Sequence, residues 1–297
     1  RTFIASQSAE GGGLYVTDVY ELNQFHISTD IDGCTFLNNT ATGYGGGVYI
    51  LNQYAQISNS KFLRNSAGTR TELFADSSSA GGALWYSGLG SNAAITNSEF
   101  VDNFVWGGWG GGIFVTDSPN TFSVETSNFT RNNAFSSYTF NAQGGAIMVS
   151  HNTIFRMNHC NLLNNTATPR VDIGDGPLTL SGSGGAVYVQ SANVSIQHSL
   201  YSGNLVLTGQ FDAGSAGGAI LLEDTVNTII KACEFLNNGA AGYVGFSSFA
   251  SSGAAGALMV KFSSASIEQC HFSRNWVSVG GTKLSNGGAV AIYFDYS

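Results

Sequence analysis

Nine times along the chain a Gly-Gly-small-aliphatic tetrad returns, at a mean spacing of about 34.5 residues. The copies begin with Gly11-Gly12-Gly13-Leu14, Gly45-Gly46-Gly47-Val48 and Gly81-Gly82-Ala83-Leu84. They continue through Gly110-Gly111-Gly112-Ile113, Gly144-Gly145-Ala146-Ile147, Gly184-Gly185-Ala186-Val187 and Gly217-Gly218-Ala219-Ile220 to Ala255-Gly256-Ala257-Leu258 and Gly287-Gly288-Ala289-Val290. A fixed period of this size means one supersecondary unit stacked on itself, not a globular core around a single cleft.

Between successive tetrads lies a second motif, aliphatic-x-x-[Cys/Ser]-x-aromatic-x-x-Asn, with Leu162 once in the aromatic place. Ile31, Cys34, Phe36 and Asn39 make the first clear copy, and a degenerate one stands at Phe3-Ile4-Ala5-Ser6. Eight copies out of eight keep the asparagine: Asn39, Asn65, Asn103, Asn132, Asn165, Asn204, Asn238 and Asn275. The Cys/Ser and aromatic positions are two apart and share one face of a strand, so the residues beside them (Thr35, Lys61, Glu99, Asn128, Asn161) point outward. After each glycine pair, alternating aliphatics such as Val48/Ile50 and Val187/Val189 form an inward pair. Gly, Ser and Asn content opposes helix throughout.

One coil buries four or five large side chains, each contributing about 1.5–3 kcal/mol. Ordering its backbone costs about 1–2 kcal/mol per residue, so a lone coil does not fold. A pile of coils does, because every strand then bonds above and below. The expected fold is all-β, a right-handed parallel β-helix solenoid of about nine coils in one continuous domain over residues 1–297. At ~4.8 Å per rung such a rod is about 40–45 Å long. The paired glycines are expected at a sharp corner with positive φ. The asparagine column is expected to bond local backbone and the equivalent amide one coil away, a structural ladder.

The alternation of GGA[ILV] with FxxN resembles the repeats of the polymorphic outer-membrane protein family of bacterial surface autotransporters, over essentially the whole chain. That resemblance implies a right-handed parallel β-helix passenger with surface display or adhesion as its role. Neither a C-terminal membrane-barrel pattern nor a signal peptide accompanies the repeats. Starting at Arg1-Thr2, the chain reads as a processed or excised piece.

Lys and Arg number 11 against 19 Asp and Glu, a net charge of −8 that argues against nucleic acid or anionic membrane surfaces as partners. No apolar run approaches 18 residues, so no membrane insertion is expected. Cys34, Cys160, Cys233 and Cys270 share one inward column with serine and read as small core fillers. Only Cys233 and Cys270 sit on adjacent rungs, where disulfide geometry is marginal. Sequons for N-glycosylation at Asn38, Asn128, Asn164 and Asn193 suit an extracellular or cell-surface protein.

The glycine-to-Ile spacing is nearly fixed except for a long Thr17–Asp30 segment in the first coil. The stretch from each Asn to the next glycines instead varies in length, placing insertions at one corner, which is often the binding face of a repeat protein. The residue after the first aliphatic of each glycine strand is apolar: Tyr15, Tyr49, Trp85, Phe114, Met148 and Tyr188, then Leu221, Met259 and Ala291. As an outward stripe these residues are a contact surface, either buried beneath corner loops or a neighbouring subunit, or a platform for glycans.

No nucleophile–base arrangement, cofactor or metal site stands out. Asp30-Ile31-Asp32-Gly33 lacks the later Glu of a calcium loop, and Asp172/Asp175 fall in an insertion. His159 and His198 are expected to stack on neighbouring rungs, and Glu223-Asp224 to lie at a turn. The expected function is a non-enzymatic extracellular structural protein, a segment of a cell-surface fibre. Uncapped β-helix ends would join it head-to-tail to itself or to a similar repeat segment. An adhesin for host, matrix, glycans or cell-surface ligands is the alternative, and a polysaccharide lyase or hydrolase the third reading.

Overall fold

The computed structural model describes residues 11–17, 28–68, 79–88, 92–118, 120–136, 141–168, 182–208, 216–242, 254–278 and 288–293. These residues form a right-handed parallel β-helix with no helical segment. One coil shows the path. After Gly110-Gly111-Gly112 the chain runs through strands Ile113–Thr116, Thr121–Glu125, Asn128–Thr130, Asn133–Phe135 and Ala142–Gln143, then reaches the next glycines. Each strand pairs in parallel with its equivalent one coil away. A nine-stranded glycine sheet, three eight-stranded sheets, a four-stranded sheet and a two-stranded sheet result.

Register follows the sequence motifs. Val48 stands beside Leu84 and Leu84 beside Ile113 in the glycine sheet. Phe62, Phe100 and Phe129 are in register in the third sheet, and their rings stack at centroid distances of 4.6 and 4.8 Å. Inward residues of the first three sheets fill one continuous core that includes Ile57, Phe100, Val124, Leu162 and Val187. Tyr86 takes an inward position and donates its hydroxyl to the Gln53 carbonyl at 3.0 Å, so a buried phenol keeps a partner.

The fourth sheet was not expected from the sequence motifs. It begins directly after each ladder asparagine, and its second residue points in: Ala41, Ala67, Val105, Ala134, Ala167, Val206, Ala240 and Val277. From Ala67 to Val277 these small side chains form a separate core together with Ala142 and Ala216. In the seventh coil one extra residue enters the second sheet. Val226 faces Asn193 but Ile229 faces Ser195, a bulge at Asn227-Thr228 that turns Val226 and Ile229 to the exterior.

Positive φ is more widespread than the glycines predict. The first glycine of six tetrads has it, from Gly11 at 65° to Gly184 at 62°. So does the residue before every ladder asparagine: Asn38, Arg64, Asp102, Arg131, Asn164, Gly203, Asn237 and Arg274. The residue before every Cys/Ser position shares it, from Gly33 through Thr126 and His159 to Gln269. Such a conformation costs about 1 kcal/mol or more for a non-glycine residue. From Gly33 to Asn237 these turns bond their backbone N–H to the next coil, as Asp102 does to Thr130 at 3.0 Å, so stacking offsets the cost.

Candidate functional site

The most regular constellation is the asparagine ladder. Asn65, Asn103, Asn132, Asn165, Asn204 and Asn238 are fully buried, and Asn39 and Asn275 at the outer described rungs are partly buried. Asn103 shows the pattern. Its backbone N–H and its Nδ2 both donate to the Asn132 Oδ1, at 3.1 and 2.9 Å. Its Nδ2 also donates to the Phe62 carbonyl of the preceding coil at 2.9 Å. Every donor and acceptor of the amide is thereby used. The backbone partner therefore differs from the expected one: the amide reaches the Phe carbonyl of the neighbouring coil, not a carbonyl of its own turn. An aspartate or a hydrophobe cannot substitute, because only an amide offers two donors and two acceptors in this plane.

The Ser/Cys column obeys a second rule. Each hydroxyl or thiol donates to the carbonyl two residues earlier, as Ser98 does to Thr96 at 2.8 Å and Cys160 to Asn158 at 3.3 Å. Serine oxygens also accept a backbone N–H from the adjacent coil, Ser60 to Ser98 and Cys160 to Ser199 at 3.2 Å. The inward placement expected for all four cysteines needs correction. Cys160 and Cys233 are buried, Cys270 is half-buried and Cys34 is exposed, because Cys34 lies in the first described copy of the motif, with a described rung on one side only. All four are free thiols. Burial pushes the Cys160 thiol up to about 11 and the Cys233 thiol up to about 12, so neither is nucleophilic at neutral pH. Iodoacetamide at pH 8 is expected to modify Cys34 in the folded protein and to reach Cys160 and Cys233 only in denaturant. Mass spectrometry of tryptic peptides reads this directly, and rapid native-state labelling of Cys160 would contradict it.

The apolar stripe is a buried layer. Tyr49, Trp85, Phe114, Met148, Tyr188, Leu221 and Met259 pack together with Ala80 and Ala255, and Tyr15 and Ala291 lie half-buried against them. Tyr15, Tyr49 and Trp85 stack in sequence, at 4.9 and 4.3 Å between centroids. These side chains are not an open platform. Of the variable corner, residues 40–44 and 104–109 are described throughout, whereas 69–78, 137–140, 169–181 with Asp172/Asp175, 209–215, 243–253 and 279–287 lie outside the described residues, as do the copy at Phe3-Ile4-Ala5-Ser6 and most of Thr17–Asp30. Tyr188 reaches past the layer to donate its hydroxyl to Glu223 at 2.5 Å, and Lys261 Nζ holds the same carboxylate at 2.6 Å. Burial, then the Glu223 charge, raises the Tyr188 phenol far above its ordinary value.

The four sequons occupy different settings. Asn38 and Asn164 are exposed at left-handed turns. Asn128 is exposed on the third sheet, where it accepts a hydrogen bond from Asn161 at 2.9 Å. Asn193 is half-buried and accepts one from Asn227 at 3.0 Å. Glu223 ends strand Ile220–Glu223 with Asp224 at the following turn, φ 52°. His159 and His198 stack at 4.8 Å on exposed turns, and His198 Nδ1 lies 3.1 Å from Asn158 Oδ1. Asp32 accepts from Ser58 and Asn59 at 2.6 and 2.7 Å, and these hydrogen bonds hold its carboxyl below the usual range. Among the described residues no group of three His, Cys, Asp or Glu side chains is placed to hold a metal ion, and no helix is long and apolar enough to cross a membrane.

No curated protein and no solved structure matches the chain. Residues 33–51 run from the turn before Cys34 through Phe36 and Asn39 to strand Val48–Leu51, and they match the Chlamydia polymorphic membrane protein (Chlamydia_PMP) repeat. One stretch of the right-handed β-helix, residues 33–51, is thus similar to the polymorphic membrane protein repeat, and the parallel stacking of the coils is consistent with repeats of that type.

Proposed function

We propose that the protein is a non-enzymatic structural shaft, displayed at a cell surface. The ladder is the observation that carries this reading. Its eight asparagines bond rung to rung through all the described coils, so the most regular polar column in the chain is spent on holding the rod together. Several of the acids are taken up in ion pairs between neighbouring rungs, such as Lys61 with Glu99 at 3.3 Å and Arg131 with Asp102 at 2.7 Å. The match to a membrane-protein repeat supports surface display.

The finer part of the proposal is end-to-end addition. Strands Thr35–Leu37 and His271–Ser273 each have a described partner on one side only, and Trp276 and Ile292 are exposed in the last described rungs. A further coil, from a second copy or a similar repeat segment, would pair those edges and cover these side chains. Immunogold labelling of intact source cells together with negative-stain microscopy of the native material tests both parts. Surface label on rods longer than the ~40–45 Å of nine rungs is expected. Label confined to the cell interior would overturn the display, and dispersed particles of single-chain length would overturn the addition.

A further inference from the structure

The outward face of the second sheet contains a trough that none of the ladder, stripe or sequon residues forms. Its floor is low because Ala94 and Ser123 occupy the outward position on two successive rungs. Gln56 stands on the rung before them and Arg156 on the rung after, both long and exposed. Tyr54, Asn92 and Thr121 form one side wall. The enclosed volume is about 490 Å³, open to solvent.

Arg156 is the chemically distinctive member. The lysines and arginines of the rod's ion pairs face acids on neighbouring rungs: Lys61 faces Glu99, Arg131 faces Asp102, Lys231 faces Glu268 and Lys261 faces Glu223. Arg156 has serines there instead, Ser123 on one side and Ser195 on the other. Glu125 stands two residues along from Ser123 and forms no ion pair with it, and Asp30 lies beyond Gln56. Among the described residues neither the Arg156 guanidinium nor the Gln56 amide has a side-chain or backbone partner. In contrast, the Ser123 hydroxyl bonds the Ala93 carbonyl at 3.4 Å, and the Asn92 Oδ1 accepts the Thr121 N–H at 3.0 Å.

We infer that this trough binds an acidic saccharide of the uronate class, its carboxylate on Arg156 and its hydroxyls on Gln56 and Thr121. The guanidinium fork matches a planar carboxylate with two parallel hydrogen bonds. The floor spans two rungs, about 10 Å, which is room for a short oligosaccharide. A peptide is the weaker fit. It gains most of its affinity by adding to a sheet edge, and this floor lies in the middle of an eight-stranded sheet whose neighbours are already paired. The inference stands apart from the shaft reading, since the trough exists wherever the rod is displayed.

The test is calorimetric titration of the full chain with trigalacturonate, with cellotriose as the uncharged comparator and hexaglutamate as the peptide comparator. Saturable binding of trigalacturonate is expected, with none to cellotriose. Arg156→Gln is expected to weaken it about tenfold or more, the loss of one charge-assisted pair. Because Arg156 is exposed, that variant should keep the wild-type melting temperature, so a loss of binding is separable from a loss of fold. Absence of saturable binding at millimolar sugar, undiminished binding by Arg156→Gln, or equal affinity for cellotriose would each overturn the inference. Tighter binding of hexaglutamate would overturn it in favour of an acidic protein segment.

Discussion

Replacing Asn132 by alanine should destabilise the protein by about 3–5 kcal/mol, because it strands several buried polar groups at once. The Asn103 backbone N–H and one Nδ2 hydrogen lose the Oδ1 they share, and the Phe100 carbonyl loses the Nδ2 bond at 2.9 Å. No water reaches this column, where Asn103, Asn132 and Asn165 are all fully buried. Asn132→Asp keeps the shape and both acceptors but cannot donate, so its carboxylate would face the Asn165 Oδ1 and the Phe100 carbonyl. A comparable loss is expected. Asn275→Ala supplies the internal contrast. That residue is half-buried in the last described copy of the motif, where solvent can replace the lost bonds, and its cost should be about 1 kcal/mol. Urea denaturation midpoints of the three variants read this order. Equal midpoints for Asn132→Ala and Asn275→Ala would show that burial along the ladder does not matter.

Gly111→Ala should be at least as damaging, at about 3 kcal/mol or more. A Cβ there would sit 2.3 Å from the Gly145 carbonyl oxygen of the next coil and 2.4 Å from the Asn133 carbonyl oxygen. Both are backbone atoms, the Asn133 oxygen in strand Asn133–Phe135 and the Gly145 oxygen at the corner before strand Ile147–Val149, where the Gly145 N–H bonds Gly184 at 3.2 Å, so neither can swing aside. The coil would have to open at its corner and break the rung-to-rung bonds from Gly111 and Gly112 at 3.2 and 2.9 Å. The neighbouring glycine behaves differently. A Cβ on Gly112 meets the Ala146 oxygen at 2.8 Å and otherwise nothing closer than the Asn132 amide at 3.5 Å. Other coils carry alanine at that place, namely Ala83, Ala146, Ala186, Ala219, Ala257 and Ala289. Gly112→Ala should therefore cost no more than about 1 kcal/mol. Soluble yield and thermal melting of the two variants separate a corner that excludes a side chain from one that merely has none.

The repeats made the winding legible. Glycine pairs, broken once by Ala255, the aromatic two residues after Cys or Ser, replaced once by Leu162, and the asparagine kept in all eight copies recur coil after coil, so they fix which side chains stack. The same logic reached the inward pairs of the glycine sheet, Val48 with Ile50 and Val187 with Val189. The fourth sheet carried an equally regular signal, Ala or Val two residues after every ladder asparagine from Ala41 to Val277. It went unread because alanine is too small to mark a strand by hydrophobicity, and the residues beside it range from Thr40 to Trp276. The two left-handed turns were hidden for another reason. Residues as different as Arg131, Thr126 and His159 occupy them, since inter-coil hydrogen bonds, not local preference, select the conformation there. The bulge at Asn227 follows from one extra residue in the seventh coil, which is visible only once the register of its neighbours is fixed.

The trough was the least legible feature. The register of the second sheet brings Gln56, Ala94, Ser123 and Arg156 into one outward column, but nothing in any single repeat says that four unlike residues on successive rungs make one concavity. Parallel stacking joins positions 26 to 40 residues apart, and only the accumulated register shows which of them meet.

Spin-label distances along one outward column test the in-register coil most directly. Lys61, Glu234 and His271 occupy equivalent places on the third sheet, five and six rungs apart from the first to the other two. With Cys34, Cys160, Cys233 and Cys270 replaced by serine, labels at Lys61 and Glu234 should lie about 24 Å apart, and labels at Lys61 and His271 about 29 Å apart, one ~4.8 Å step per rung. Distances that fail to grow by one rung between the two pairs, or that scatter broadly, would contradict a chain wound with asparagine over asparagine.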